Sequence, residues 1–158
     1  MEKKTTTPRP QAAERSPDVP ASVHAHTLSG LHILVVDDIE VNQLLARGML
    51  LRLGCTRVTI AANGLEALAA CGAQRFDLIL MDCQMPEMDG LEATRVLRAR
   101  GVDTPIIALT ASGIAGVRQG CASAGMNDFL AKPVELQSFA ETLHRWLAPP
   151  PPSRGDEP

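Results

Sequence analysis

Two adjacent acids, Asp37 and Asp38, come directly after the apolar run Ile33-Leu-Val-Val36. A third, Asp82, ends the run from Phe76 to Met81, Thr110 ends Pro105 to Leu109, and Lys132 follows Asn127 to Ala131. Carboxylates held within a few ångströms of one another raise each other's pKa unless a cation joins them. Oxygen-only donors at a partly hydrated rim suit Mg²⁺, which keeps several waters and takes only a few carboxylates. A carboxylate is also a nucleophile toward phosphorus and forms an acyl phosphate. Such a transfer needs mainly positioning and neutralisation of the phosphoryl oxygens, which a metal ion, the Lys132 ammonium and the Thr110 hydroxyl would supply. Singly, each residue has an ordinary structural reading: Asp38 and Asp89 as caps or turn residues, Thr110 as a strand-end residue, Lys132 as a solvated side chain. Their joint placement at the ends of successive apolar runs is what points to chemistry.

The elements that would position them alternate strictly. The runs at Ile33–Val36, Arg57–Ala61, Phe76–Met81, Pro105–Leu109 and Asn127–Ala131 read as strands. Helical spacing follows each: Val41 to Leu53, Asn63-Gly64 to about Ala73, Leu91 to Arg100, a Gly-rich stretch to Ala124, and Glu135 to Leu147. That is a doubly wound (βα)5 α/β domain, with a five-stranded parallel sheet covered by helices on both faces. The first, third and fourth runs are nearly all apolar and read as central strands, whereas the alternating second run reads as an edge. In open parallel sheets ligands gather beyond the carboxyl ends of the strands, where Asp37, Asp38, Asp82, Thr110 and Lys132 would converge.

With 158 residues and a net charge of −3, the chain has room for one well-buried core and lacks the basic stripe of a nucleic-acid binder. No apolar run is long enough for a membrane span, and no signal-like segment opens the sequence. The expectation is a cytoplasmic protein without direct membrane contact. The four cysteines, Cys55, Cys71, Cys83 and Cys121, lack C-x-x-C spacing and read as buried reduced thiols. His24 and His26 lie in a Pro-, Thr- and Ser-rich stretch and read as solvated tail, with residues 1–29 and the Pro-rich 149–158 as disordered segments around a domain at 30–148.

The signatures VVDD at 35–38, LMDCQMPEMDG at 80–90, LTA at 109–111 and FLAKP at 129–133 resemble, as an ordered set, the receiver domain of bacterial two-component response regulators. The resemblance implies a flavodoxin-like fold with strand order 2-1-3-4-5. It implies Asp82 as phosphoacceptor, and a Mg²⁺ ion (Mn²⁺ as a substitute) held by Asp37, Asp38, Asp82 and the Gln84 backbone carbonyl. Thr110 and Lys132 would meet the phosphoryl group, Phe129 would stand at the family's rotating aromatic, and Pro133 would follow a cis peptide. The stretches DDIEVNQLLARGMLLRLG and MDCQMPEMDGLEATR are most similar to receivers of hybrid sensor histidine kinases. A stand-alone response regulator is second. The implied partner is a histidine kinase or a histidine phosphotransfer domain, which would dock on Val41, Leu44, Gly48 and Leu51. These form one apolar stripe of the first helix, and Asn42, Leu45, Ala46, Met49 and Leu53 form another. The implied oligomeric state is a monomer or weak dimer that catalyses only its own phosphorylation and dephosphorylation.

The chain departs from the family pattern at Ile39, where many relatives carry a polar residue, and at Phe129, where a Tyr would add a hydroxyl. Gly113, Gly116 and Gly120 mark the fourth helix as mobile, since an interior Gly costs about 1 kcal/mol relative to Ala. A phosphatase of the haloacid dehalogenase type uses similar groups but wants Asp-x-Asp after the first strand, whereas here the acids are adjacent. A flavin or nucleotide carrier would need a phosphate-cradling loop where Asp37 and Asp38 stand.

Overall fold

The computed structural model of the protein describes residues 28–111 and 115–147. The tails expected at 1–29 and 149–158 fall outside these residues, except Leu28 and Ser29; so do His24, His26 and Gly113. Leu28 is buried in the core, just ahead of the expected start of the domain.

Five strands alternate with five helices: β1 His32–Val36, α1 Glu40–Arg52, β2 Arg57–Ala61, α2 Gly64–Ala73, β3 Leu78–Asp82, α3 Gly90–Ala99, β4 Ile106–Thr110, α4 Ala115–Ala124, β5 Asp128–Ala131 and α5 Leu136–Leu147. All strands are parallel, in the order β2-β1-β3-β4-β5. This is the expected doubly wound, flavodoxin-like order, with β2 at an edge. The chain order reverses between β1 and β3, where the carboxyl ends of neighbouring strands open a crevice. Val36 pairs with Met81 there, and Asp82 with Leu109 on β4, so the residues just beyond Val36 face Asp82.

Strand pleating divides the apolar residues between two layers. Ile33, Val35, Leu78, Leu80, Ile107 and Leu109 face α1 and α5 through Ala46, Leu50, Phe139 and Leu143. Leu34, Val36, Ile79, Met81, Ile106 and Ala108 face the other way, toward Ala67, Leu68, Ala93, Leu97 and Cys121 of α2, α3 and α4. Both faces of β1, β3 and β4 are therefore buried, which is why these strands read as unbroken apolar runs.

Helix starts are set by short polar side chains in two cases. Asn63 Oδ1 accepts from Glu66 N–H at 2.8 Å, and Asp89 Oδ1 from Glu92 N–H at 2.8 Å. At α1 the cap residue is Ile39, which makes no side-chain cap bond. Gly54, Gly101 and Gly125 have φ of 96°, 88° and 110°, the left-handed geometry that closes α1, α3 and α4.

Candidate functional site

Asp37 leaves the end of β1, and its N–H is held by the Ala61 carbonyl of β2 at 3.1 Å. Asp82 is the last residue of β3 and Thr110 the last of β4. Lys132 follows β5, and its N–H bonds the Thr110 carbonyl at 2.7 Å. The residues named from sequence thus come to one rim of the sheet. Asp37 and Asp82 are 1% and 4% exposed, Thr110 is buried and Asp38 is open to solvent.

Carboxylate oxygens of Asp37, Asp38 and Asp82 all lie within 4.8 Å of one another. Lys132 Nζ stands 3.2 Å from Asp37 Oδ2 and 3.3 Å from Asp82 Oδ2. Burial pushes the Asp82 carboxyl above the usual carboxylate range, and neighbouring Asp37 adds to the rise. The Gln84 N–H and the Lys132 ammonium only partly offset it. Burial alone would lower Lys132, but the Asp82 and Asp37 carboxylates outweigh it and hold the ammonium charged. One ammonium among three close carboxylates leaves a negative excess, and every ligand atom is oxygen, so the donor set fits a hard divalent cation.

Further contacts fix the rim. Gln84 N–H donates to Asp82 Oδ1 at 3.1 Å, which places the Gln84 peptide beside the acid. The Lys132–Pro133 peptide is cis. Phe129 is half-buried, and the Arg118 guanidinium lies 4.4 Å from its ring centroid. Behind Asp82, the free thiols of Cys83 and Cys121 are 3.4 Å apart and buried, and burial pushes the Cys83 thiol up, away from the thiolate form.

On α1 the proposed docking residues Val41, Leu44 and Leu51 are 61%, 60% and 50% exposed, and Gly48 is exposed too. The opposite stripe is buried only in part: Ala46 and Leu53 are covered, Leu45 is exposed, and Leu50, which belongs to neither stripe, is wholly buried. The apolar content of α1 exceeds one face, so spacing alone does not say which Leu is inside.

Two residues in contact with the acids were not singled out from sequence. Asn42 Nδ2 donates to Asp37 Oδ1 at 3.3 Å and Gln43 Nε2 to the Asp37 carbonyl at 2.7 Å. Paired amides in the first helical turn after two acids are a signal for such contacts, but the spacing of Asn42 also fits an apolar stripe.

Comparison with known proteins agrees with this geometry. Residues 33–144 match the model of the response regulator receiver domain family. "Hybrid signal transduction histidine kinase E" of Dictyostelium discoideum is 40% identical over 119 residues, covering 72% of this chain and 7% of the kinase. The chain spans no more than 15% of two plant histidine kinases that also match. "Two-component response regulator 24" of Arabidopsis thaliana is 37% identical over 138 residues, covering 87% of this chain and 94% of that protein. Among solved structures, the receiver domain of a sensor histidine kinase from Pseudomonas aeruginosa, with magnesium in its active-site cleft, is 46% identical at a TM-score of 0.70. It covers 77% of this chain and 100% of that one. The Ssk1 receiver domain of Saccharomyces cerevisiae, solved with the histidine phosphotransfer protein Ypd1, is 27% identical at a TM-score of 0.71, covering 76% of this chain and 90% of that one. The chain therefore belongs to the response regulator receiver domain family and is a receiver domain of the two-component phosphorelay type.

Proposed function

We propose that Asp82 is the phosphoacceptor of this receiver and takes its phosphoryl group from a phosphohistidine. The observation that carries the reading is the meeting of Asp82 with Asp37, Asp38 and Lys132 at one end of the sheet. One Asp82 oxygen is held by the Gln84 N–H and the other by Lys132, so the carboxylate is fixed for attack. An Asp82 oxygen bonds to phosphorus as the P–N bond of the donor breaks, and its electron pair returns to the imidazole nitrogen. Lys132 pairs with the phosphoryl oxygens, and the Thr110 hydroxyl bonds them once the group is in place.

Asp37, Asp38, Asp82 and the Gln84 carbonyl would hold Mg²⁺, with Mn²⁺ as a substitute. When bound, the ion would neutralise charge on the phosphoryl oxygens. Modification adds about −1.5 to −2 charge at the rim, enough to draw a hydroxyl and its loop into a new position. Phe129, half-buried beside β4, is the side chain that would follow.

The partner is a histidine kinase or histidine phosphotransfer domain of the cytoplasm, docking on Val41, Leu44, Gly48 and Leu51. The exposure of these residues supports that reading. The chain works as an acceptor that turns over only its own phosphate. Its similarity to hybrid kinases favours the receiver segment of such a kinase. The near-full coverage of the Arabidopsis response regulator supports a stand-alone receiver as second reading.

Incubation with Mg²⁺ and acetyl phosphate, followed by intact mass measurement, tests the reading. One phosphoryl group per chain, lost when the metal is chelated, is expected; no mass increase, or continuous turnover of phosphate esters, would overturn it.

A further inference from the structure

We propose that Asn42 and Gln43 are positioning residues that fix the Asp37 carboxylate and decide which of its oxygens is presented to a cation. The proposal rests on the Mg²⁺-dependent reading given above.

Asp37 Oδ1 accepts from the Ile39 N–H at 2.9 Å and from Asn42 Nδ2 at 3.3 Å. A carboxylate oxygen offers about two lone-pair directions, so Oδ1 is filled. Among the described residues Oδ2 is met by Lys132 alone, at 3.2 Å, and keeps a direction for a second cationic partner. A cavity of about 180 Å³, lined by Asp37, Asn42, Leu45, Lys132 and Pro133 among others, adjoins the acid on this side. The Asn42 amide joins the Ile39 N–H in holding Oδ1 against rotation of the carboxylate. Gln43 acts one bond back, holding the Asp37 carbonyl at 2.7 Å. Because Ile39 cannot cap α1, these two amides also tie the helix start to the end of β1. The helix and the acid are thereby set in one fixed relation.

A purely structural tie and a positioning tie predict different losses. Asn42→Leu and Gln43→Met keep side-chain size and remove the donor. Mg²⁺ titration by calorimetry without phosphodonor, and the Mg²⁺ dependence of acetyl phosphate labelling, are measured on the full chain. Positioning predicts an Mg²⁺ dissociation constant raised about tenfold in Asn42→Leu and in the same direction in Gln43→Met. The loss then falls mainly on the Mg²⁺ half-saturation of labelling, not on its maximal rate. Unchanged Mg²⁺ affinity in both variants, with only thermal stability reduced, overturns the proposal. If Asn42→Leu does not fold, Gln43→Met decides alone. Wild-type protein that binds no Mg²⁺ overturns the underlying metal reading, and this inference with it.

Discussion

Gly90, the first residue of α3, sits so close to Asp82 that a Cβ at position 90 would stand 2.2 Å from the Asp82 carbonyl oxygen. Its N–H bonds the Cys83 carbonyl at 3.2 Å, closing the loop after β3 back onto the strand that carries the acid. Its φ is not positive, so what the site needs is the missing side chain. Gly90→Ala should destabilise the fold by about 1–3 kcal/mol in urea unfolding and slow phosphoryl acceptance, because backbone has to move. Unchanged stability and rate would contradict the contact.

Lys132 is the ammonium shared by Asp37 and Asp82. Lys132→Met removes a competitor for those carboxylates and a partner for the phosphoryl oxygens. Calorimetry should show tighter Mg²⁺ binding, while the rate of labelling falls by about a hundredfold. Weaker Mg²⁺ binding in the variant would speak against the shared-charge account.

At the opposite end of β1, His32 donates or accepts a 2.7 Å bond with the Thr59 hydroxyl and packs its ring 4.6 Å from that of Phe76. Burial first, then the Arg57 charge, hold it below its ordinary value of 6.5, against the pull of Asp77. The unfolded chain thus takes up the His32 proton at higher pH than the folded one. The stability tied to neutral His32 is complete above pH 6.5 and is lost as pH falls below it toward the depressed folded value. Urea midpoints for wild type and His32→Gln should converge as pH is lowered through this window. A gap that widens would refute the sign.

Helix α4 carries Gly116 and Gly120, with one further residue, Gly113, outside the described region ahead of it. Among the described residues a Cβ at Gly120 would meet only Leu91, at 3.9 Å, and this packing does not demand glycine there. Amide exchange in α4 should be faster than in α3, and Gly120→Ala should slow it. Equal protection of the two helices would count against the expectation.

Much of this was legible in the sequence because a parallel sheet buried on both faces writes itself as apolar runs. Asp37, Asp82, Thr110 and Lys132 stand out because polar residues end those runs. What was not legible depended on side chains meeting across the fold. Asp89 caps α3, one of the two readings its position offers, but nothing in the Asp89-Gly90 pair says that Gly90 makes room for Asp82. Arg98 looks like an ordinary helical arginine, yet its guanidinium bonds the carbonyls of Gly125, Val102 and Thr104 and the side chain of Asn127. Leu45 and Leu50 are indistinguishable by residue type, and the face of α1 that docks on the sheet exposes one and buries the other.

Transfer from a labelled phosphohistidine donor protein to wild type and to Asp82→Asn, with Mg²⁺ present, tests the central claim most directly. Label is expected to move to the wild-type chain and not to Asp82→Asn, whose unfolding midpoint stays near that of wild type. Folded Asp82→Asn that accepts label at the wild-type rate would contradict the assignment.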